Sequence, residues 1–152
     1  MEKVIVTHSV EETKLIAKKL IHELSVGDVV LLSGDLGAGK TTFVGGVMEE
    51  LGYKGHVISP TFNILKCYFE VTPHIYHIDA YRLEDQNIDI GLEEYIEGDG
   101  IAFIEWPKFI EPLIPNKHLN IVITRVDDNT RQIVISSTHP SYERLLNSFE
   151  AK

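Results

Sequence analysis

Residues 31–44 read "LLSGDLGAGKTTFV", and the fold turns on how this stretch is read. It grows out of "VVLLS" (29–33), an apolar run without alternation, as expected of a strand buried on both faces. Gly34-Asp35-Leu36-Gly37-Ala38-Gly39-Lys40-Thr41 then fits the pattern G-x-x-x-x-G-K-[ST]. Glycines let backbone N–H groups curl toward an anion with no side chain in the way. A helix from about Lys40 to Leu51, stopped by Gly52, adds its positive N-terminal end. Asp35, Gly37, Ala38 and Gly39 would wrap the phosphates of a nucleotide, and Lys40 can reach the β- and γ-phosphates. The Thr41 hydroxyl can ligate Mg²⁺, a cation that prefers oxygen, and Thr42 can contact the α-phosphate.

Working outward, "KVIVT" (3–7) alternates like a strand. Ser9 reads as an N-cap, with Glu12 completing a capping box. "VEETKLIAKKLIHEL" follows with Leu15, Ile16, Leu20 and Leu24 at helical spacing, and Val26-Gly27-Asp28 is a turn. Beyond the glycine loop and its helix, "NILKCYFEV" (63–71) and "HIYHI" (74–78) read as a hairpin closed by Thr72-Pro73. A helical segment around Ile88 to Ile96 precedes the strand "IAFIEW" (101–106), and Pro107 can open a short helix. "HLNIVITRV" and "RQIVISS" flank Asp127-Asp128-Asn129-Thr130 as a second hairpin, and "PSYERLLNSF" ends as an amphipathic helix. This order predicts an α/β fold: a P-loop NTPase-like three-layer sandwich with a mixed, mostly parallel central sheet and antiparallel hairpins.

The 152 residues suit one domain, expected to span residues 1–152. No repeat, low-complexity tract or linker interrupts them. The 14 Lys and Arg face 23 Asp and Glu, a net charge of −9. Nucleic-acid affinity comes largely from basic residues neutralising phosphates, so direct, tight binding of RNA or DNA is not expected. A local basic patch, or a partner that carries the nucleic acid, stays open. Cys67 is the lone cysteine, which allows no internal disulfide and fits a reducing cytoplasm. Met1 to Thr7 mixes charge with a short apolar run, unlike a secretory signal. No apolar run approaches the roughly 20 residues of a membrane helix, so no membrane association is expected.

A phosphate loop needs an acidic partner at the end of a neighbouring strand, to hold the metal or polarise water. "IYHID" ends in Asp79 and "IAFIE" in Glu105, both after apolar runs that carry the strand tip to the carboxyl edge of the sheet. "SPTF" (59–62) lies where nucleotide-sensing loops often do, and Thr61 offers a hydroxyl to a γ-phosphate or its Mg²⁺. Arg82 could stabilise transferring charge. His74 and His77 are three apart on a strand, so they point to opposite faces and cannot chelate one metal. Trp106 reads as a core or edge aromatic.

Assembled in order, "GDLGAGKTTFVGG" (34–46), "SPTFNI" (59–64), "YHIDAYRL" (76–83) and "IEWP" (104–107) resemble the bacterial TsaE (YjeE) ATPases. "SVEET" (9–13) and Arg131 fit too, so the resemblance spans nearly the whole chain. It implies an ATP/ADP-binding protein with weak intrinsic hydrolysis that acts in making threonylcarbamoyladenosine on tRNA. It implies stimulation by the two-subunit threonylcarbamoyl-transferase assembly of TsaD- and TsaB-type proteins, which would hold the tRNA, so that tRNA is met only indirectly. The family's Mg²⁺ carries onto Thr41 and Glu105, its strand-tip acid onto Asp79 and its switch-loop residue onto Thr61. Thr13 and Arg131 would lie on the adenine or ribose side. Ala80 departs from the larger apolar residue usual there, and "FEVTPH" (69–74) is individual to this chain.

Three rivals remain. A Ras-type GTPase would carry N-K-x-D, but Asn116-Lys117-His118-Leu119 lacks the acid, and the D-x-x-G block is absent too, since Asp79 is followed by Ala80-Tyr81-Arg82. A small-molecule kinase would close an arginine-bearing lid, and no lid-like insertion is visible. A non-hydrolysing, nucleotide-dependent scaffold would bind ATP without turnover.

Overall fold

The computed structural model describes residues 1–35, 37–58, 64–81 and 91–149. The alternating start of the chain forms strand β1 (Glu2–Thr7). Ser9 caps helix α1 (Val10–Ile21), its Oγ accepting the Glu12 amide at 3.1 Å. The Glu12 carboxylate returns to the amide of His8 (3.1 Å), one residue before the position that the capping-box spacing predicts. The apolar run forms β2 (Val29–Ser33), and the glycine loop leads into α2 (Lys40–Glu50). Gly52 ends α2 at φ 87°, with the Tyr53 amide bonded back to the Met48 carbonyl (3.0 Å) and the Gly52 amide to Glu49 (3.1 Å). This is a Schellman closure, which only a left-handed residue permits at low cost.

The first hairpin is β3 (Leu65–Tyr68) and β4 (His74–Asp79). Then come β5 (Gly100–Glu105), the second hairpin β6 (Leu119–Arg125) and β7 (Arg131–Ser136), and α3 (Glu143–Asn147). Among the described residues seven strands form one sheet in the order β1-β7-β6-β2-β5-β4-β3. Its four central strands, β6, β2, β5 and β4, run parallel. The rims are antiparallel, made by the two hairpins and by β1 pairing along β7. The sheet is mixed, as the sequence predicts, with its parallel part at the centre around the loop-bearing strand.

Every second residue of the central strands points to one face, where Val30, Leu32, Ile101 and Phe103 pack with Leu20, Phe43, Val47 and Leu146 of the helices. Burying a side chain of this size contributes about 2 kcal/mol. The helices α1 and α2 cross closely because position 46 is glycine. A Cβ there would stand 2.9 Å from Cα of Lys14. On the opposite face Val29, Leu31, Ala102 and Ile104 meet Leu92, Ile96 and Ile110.

Among the described residues that second face is covered by 3-10 turns, Leu92–Glu94 and Pro107–Leu113, rather than by α-helix. Pro112 removes an amide from the second turn and Ile110 leaves helical angles, so the helix that Pro107 opens does not propagate. Of the predicted segment from Ile88 to Ile96, residues 88–90 lie outside the described residues. The C-terminal amphipathic segment begins as a 3-10 turn (Pro140–Tyr142) before α3. Among the described residues no helix is long and apolar enough to cross a membrane.

Candidate functional site

The loop between β2 and α2 is shaped by three left-handed glycines, Gly34 (φ 147°), Gly37 (φ 80°) and Gly39 (φ 113°). At Gly34 the absence of a side chain is also a packing need, since a Cβ would lie 2.3 Å from the Ile123 carbonyl oxygen on β6. Gly39 caps α2 without a side-chain hydrogen bond, so the first-turn amides of α2 have no side-chain acceptor from their cap. These are the groups that bind anions at a helix start.

Lys40, the first residue of α2, folds back over this loop. It is only 5% exposed. Its Nζ donates to the Gly34 carbonyl at 2.6 Å and lies 4.1 Å from the centre of the Trp106 ring. Burial holds its pKa below the ordinary lysine value, while Glu105, Asp79 and Asp35, in that order, pull it back up. Trp106 reaches this position because it follows Glu105 directly and turns left-handed (φ 57°) as β5 ends. Tyr81 and Phe109 flank its ring, with centroids at 5.0 and 6.5 Å.

The two acids are neighbours. In the parallel register of β4 and β5, Asp79 stands beside Glu105 at the carboxyl end of the sheet. The two-residue pleat puts Glu105 on the helix-bearing face with Ile101 and Phe103, and puts Asp79 there with Ile75. Both are nearly covered, Asp79 at 5% and Glu105 at 3% exposure. Asp79 Oδ1 accepts the Tyr81 amide at 3.0 Å, which turns the chain as it leaves β4. Glu105 Oε2 accepts from His77 Nε2 at 2.6 Å.

The opposite wall comes from distant parts of the chain. Thr13, Gly37, Gly39, Thr42, Asn129 and Arg131 line one cavity. The Thr13 hydroxyl lies 2.7 Å from that of Thr7, which ties α1 to β1. Arg131 reaches across from β7, its Nε donating to the Ala38 carbonyl at 2.9 Å and its guanidinium to the Asp127 carbonyl at 2.8 Å. Thr41 lines a separate cavity on the flank of α2, with Lys14 and Glu49. Thr61 and Arg82 lie outside the described residues.

The structure therefore gathers Lys40, Asp35, Asp79 and Glu105 at one end of the sheet, with Thr13, Thr42 and Arg131 along the loop's other side. Three contributors escaped the sequence reading. His77 reads in the sequence only against His74, whereas its alternation with Asp79 is the signal that places it behind Glu105. Trp106 reads as packing and proves to lie against the loop lysine. Asn129 belongs to a hairpin tip, and nothing local shows that the tip reaches the glycine loop.

These residues fit a phosphate-bearing ligand: a buried ammonium, a cradle that side chains would fill, and uncapped helix amides. Oxygen donors suit Mg²⁺. Among the described residues no cluster of three or more His, Cys, Asp and Glu is placed to hold a metal.

Strand, glycine loop and helix at the centre of a mixed sheet, with two acids on the next strands, define the chain as a protein of the P-loop NTPase-like fold. Residues 7–133 match the family model described as TsaE, threonylcarbamoyl adenosine biosynthesis protein TsaE. The tRNA threonylcarbamoyladenosine biosynthesis protein TsaE of Bacillus subtilis is 47% identical over 135 residues, covering 89% of this chain and 85% of that protein. The protein of the same name from Rickettsia conorii is 38% identical, covering 87% and 77% respectively. The crystal structure of Bacillus subtilis YdiB superposes with a TM-score of 0.84 at 38% identity, covering 97% of this chain and 93% of that one. The chain belongs to the TsaE family.

Proposed function

We propose that this protein is a Mg²⁺-dependent ATPase of low intrinsic rate, stimulated by the proteins that transfer threonylcarbamoyl to adenosine 37 of tRNA. The observation that carries the reading is the buried Lys40, held over the glycine loop beside the strand-end pair Asp79 and Glu105. On binding, Lys40 exchanges the Gly34 carbonyl for the β- and γ-phosphates. The loop amides and the start of α2 hold the remaining phosphate oxygens. When bound, Mg²⁺ would supply neutralisation of phosphate charge. Thr41 and Glu105 would hold that ion, directly or through its waters. Asp79 orients the attacking water, Thr61 senses the γ-phosphate, and Arg131 with Thr13 bounds the nucleoside.

The chain's net charge of −9 supports a role in which partners of TsaD and TsaB type carry the tRNA. Membership of the TsaE family supports threonylcarbamoyladenosine biosynthesis as its setting. The test is an ATPase assay with and without the threonylcarbamoyl-transfer proteins and tRNA. ADP and phosphate released faster with the partners is the expected result. A phosphorylated metabolite would establish a kinase instead. Tight ATP binding with no turnover, even with partners, would establish a scaffold.

A further inference from the structure

His77 has no part in the reading above, yet it is the polar side chain most completely enclosed at the site, with 0% exposure. Its Nε2 donates to Glu105 Oε2 at 2.6 Å. Its Nδ1 is buried and, among the described residues, has no hydrogen-bond partner. The register pairs His77 with Phe103, so the position sits inside the core that the helices cover. A residue there for packing alone is better apolar. An imidazole with one nitrogen stranded carries a desolvation cost that an apolar ring avoids.

The pleat explains what that cost secures. His77 and Asp79 alternate onto the same face of β4, and Asp79 is level with Glu105 on β5. His77 therefore lies one step diagonally behind the Glu105 carboxylate, on the side away from the strand tips. From there a single N–H occupies Oε2 and leaves Oε1. A glutamate has three rotatable bonds before its carboxylate, and this contact removes their freedom. Polar partners behind a ligand orient it in this way, and their loss commonly lowers metal affinity 10- to 100-fold.

We infer that His77 is a positioning residue, whose Nε2–H locks the Glu105 carboxylate in the orientation in which its other oxygen serves the nucleotide-bound Mg²⁺. The inference rests on the metal role proposed for Glu105. It does not depend on the rate of hydrolysis.

The test measures binding of a non-hydrolysable ATP analogue to the full-length chain by calorimetry, once with Mg²⁺ and once with EDTA. The ratio of the two affinities is the metal's contribution. His77→Leu removes the donor. His77→Gln sets an amide N–H near the place of Nε2. His77→Asn keeps a buried amide but falls short of Glu105, and it replaces the leucine variant should that one not fold. The expected result is a ratio about tenfold or more lower in His77→Leu and His77→Asn, with affinity in EDTA unchanged. In His77→Gln the ratio should return to within about threefold of the parent.

An undiminished ratio in His77→Leu or His77→Asn overturns the inference. So does an equal loss in His77→Gln, because packing rather than the N–H would then be at work. Glu105→Gln separates the two readings. A large parental ratio that collapses in Glu105→Gln but survives in the His77 variants sinks the role of His77 alone. A parental ratio near unity sinks the metal site together with it.

Discussion

Arg131 donates its Nε to the carbonyl of Ala38 across 2.9 Å, joining residues 93 apart in sequence. The same guanidinium holds the Asp127 and Thr130 carbonyls, so it fastens the tip of the second hairpin to the glycine loop. Loop and hairpin thus form one wall. Arg131→Ala should loosen that wall and weaken nucleotide binding about tenfold, the equivalent of one or two lost hydrogen bonds. Calorimetric titration with ADP measures the affinity. Hydrogen exchange at the amides of residues 37–39 should rise in the same variant. An unchanged affinity with unchanged exchange would show that the contact is incidental.

Lys40→Ala should cost about a hundredfold or more in ATP affinity, because a charge-assisted contact to phosphate is lost from a covered site. The fold should survive, since α2 is held by Phe43, Val44 and Val47 rather than by the lysine. Tight binding with normal turnover in this variant would refute the role of the loop.

Glu105→Gln keeps the size of the side chain and an acceptor for His77, and removes the charge. Mg²⁺-dependent hydrolysis should fall about a hundredfold, while the melting temperature moves by a few degrees at most. A Mg²⁺ titration of the rate, set beside a thermal melt, separates the two effects. An unshifted titration would exclude Glu105 from the metal.

Gly34→Ala should destabilise the fold by about 3 kcal/mol or more, through a backbone clash joined to a strained dihedral angle. The added Cβ would meet the Ile123 carbonyl at 2.3 Å, and neither partner is a flexible side chain. Gly37→Ala meets nothing within 4 Å and should cost less, through its φ of 80° alone. Urea unfolding of both variants gives the comparison, and equal losses would contradict the close approach.

Three enclosed tyrosines should make stability fall at alkaline pH. Burial raises the phenols of Tyr68 and Tyr76 to about 12, and burial with Asp28 nearby raises that of Tyr142 as well. In the unfolded chain tyrosine ionises near pH 10. Above that pH the unfolded state binds fewer protons than the folded one, so stability falls as pH rises. The contribution is intact below about pH 10 and is lost through about pH 12, where Tyr68 and Tyr76 ionise in the fold. Urea midpoints across that interval should drop steadily, and Tyr142→Phe should flatten the decline. Constant midpoints would mean that these phenols ionise alike in both states.

The glycine loop was legible because its chemistry is local. The turn, the helix start and the lysine all lie within residues 34–41, and each requires its own residue type in order. The strand-end acids were legible as individuals, since an apolar run ending in an acid is a local pattern. The switch from α-helix to 3-10 turn after Pro107 was less so. It depends on Pro112 and on a non-helical Ile110, both of which also read as acceptable in a short helix.

The glycine loop, the strands and helices on either side of it and the family are written in short-range residue order, because each follows from residue types at fixed close spacing. The company each group keeps comes from the pairing of strands in three dimensions. Sheet order sets β5 between β2 and β4, and so brings Asp79 level with Glu105. The pleat turns His77 onto the same face, the end of β5 lays Trp106 against Lys40, and β7 returns Arg131 to Ala38. Spacing along one strand fixes which face a residue takes. Only the pairing of strands fixes what stands opposite it, and the reactivity of a buried lysine or carboxylate depends on that neighbour.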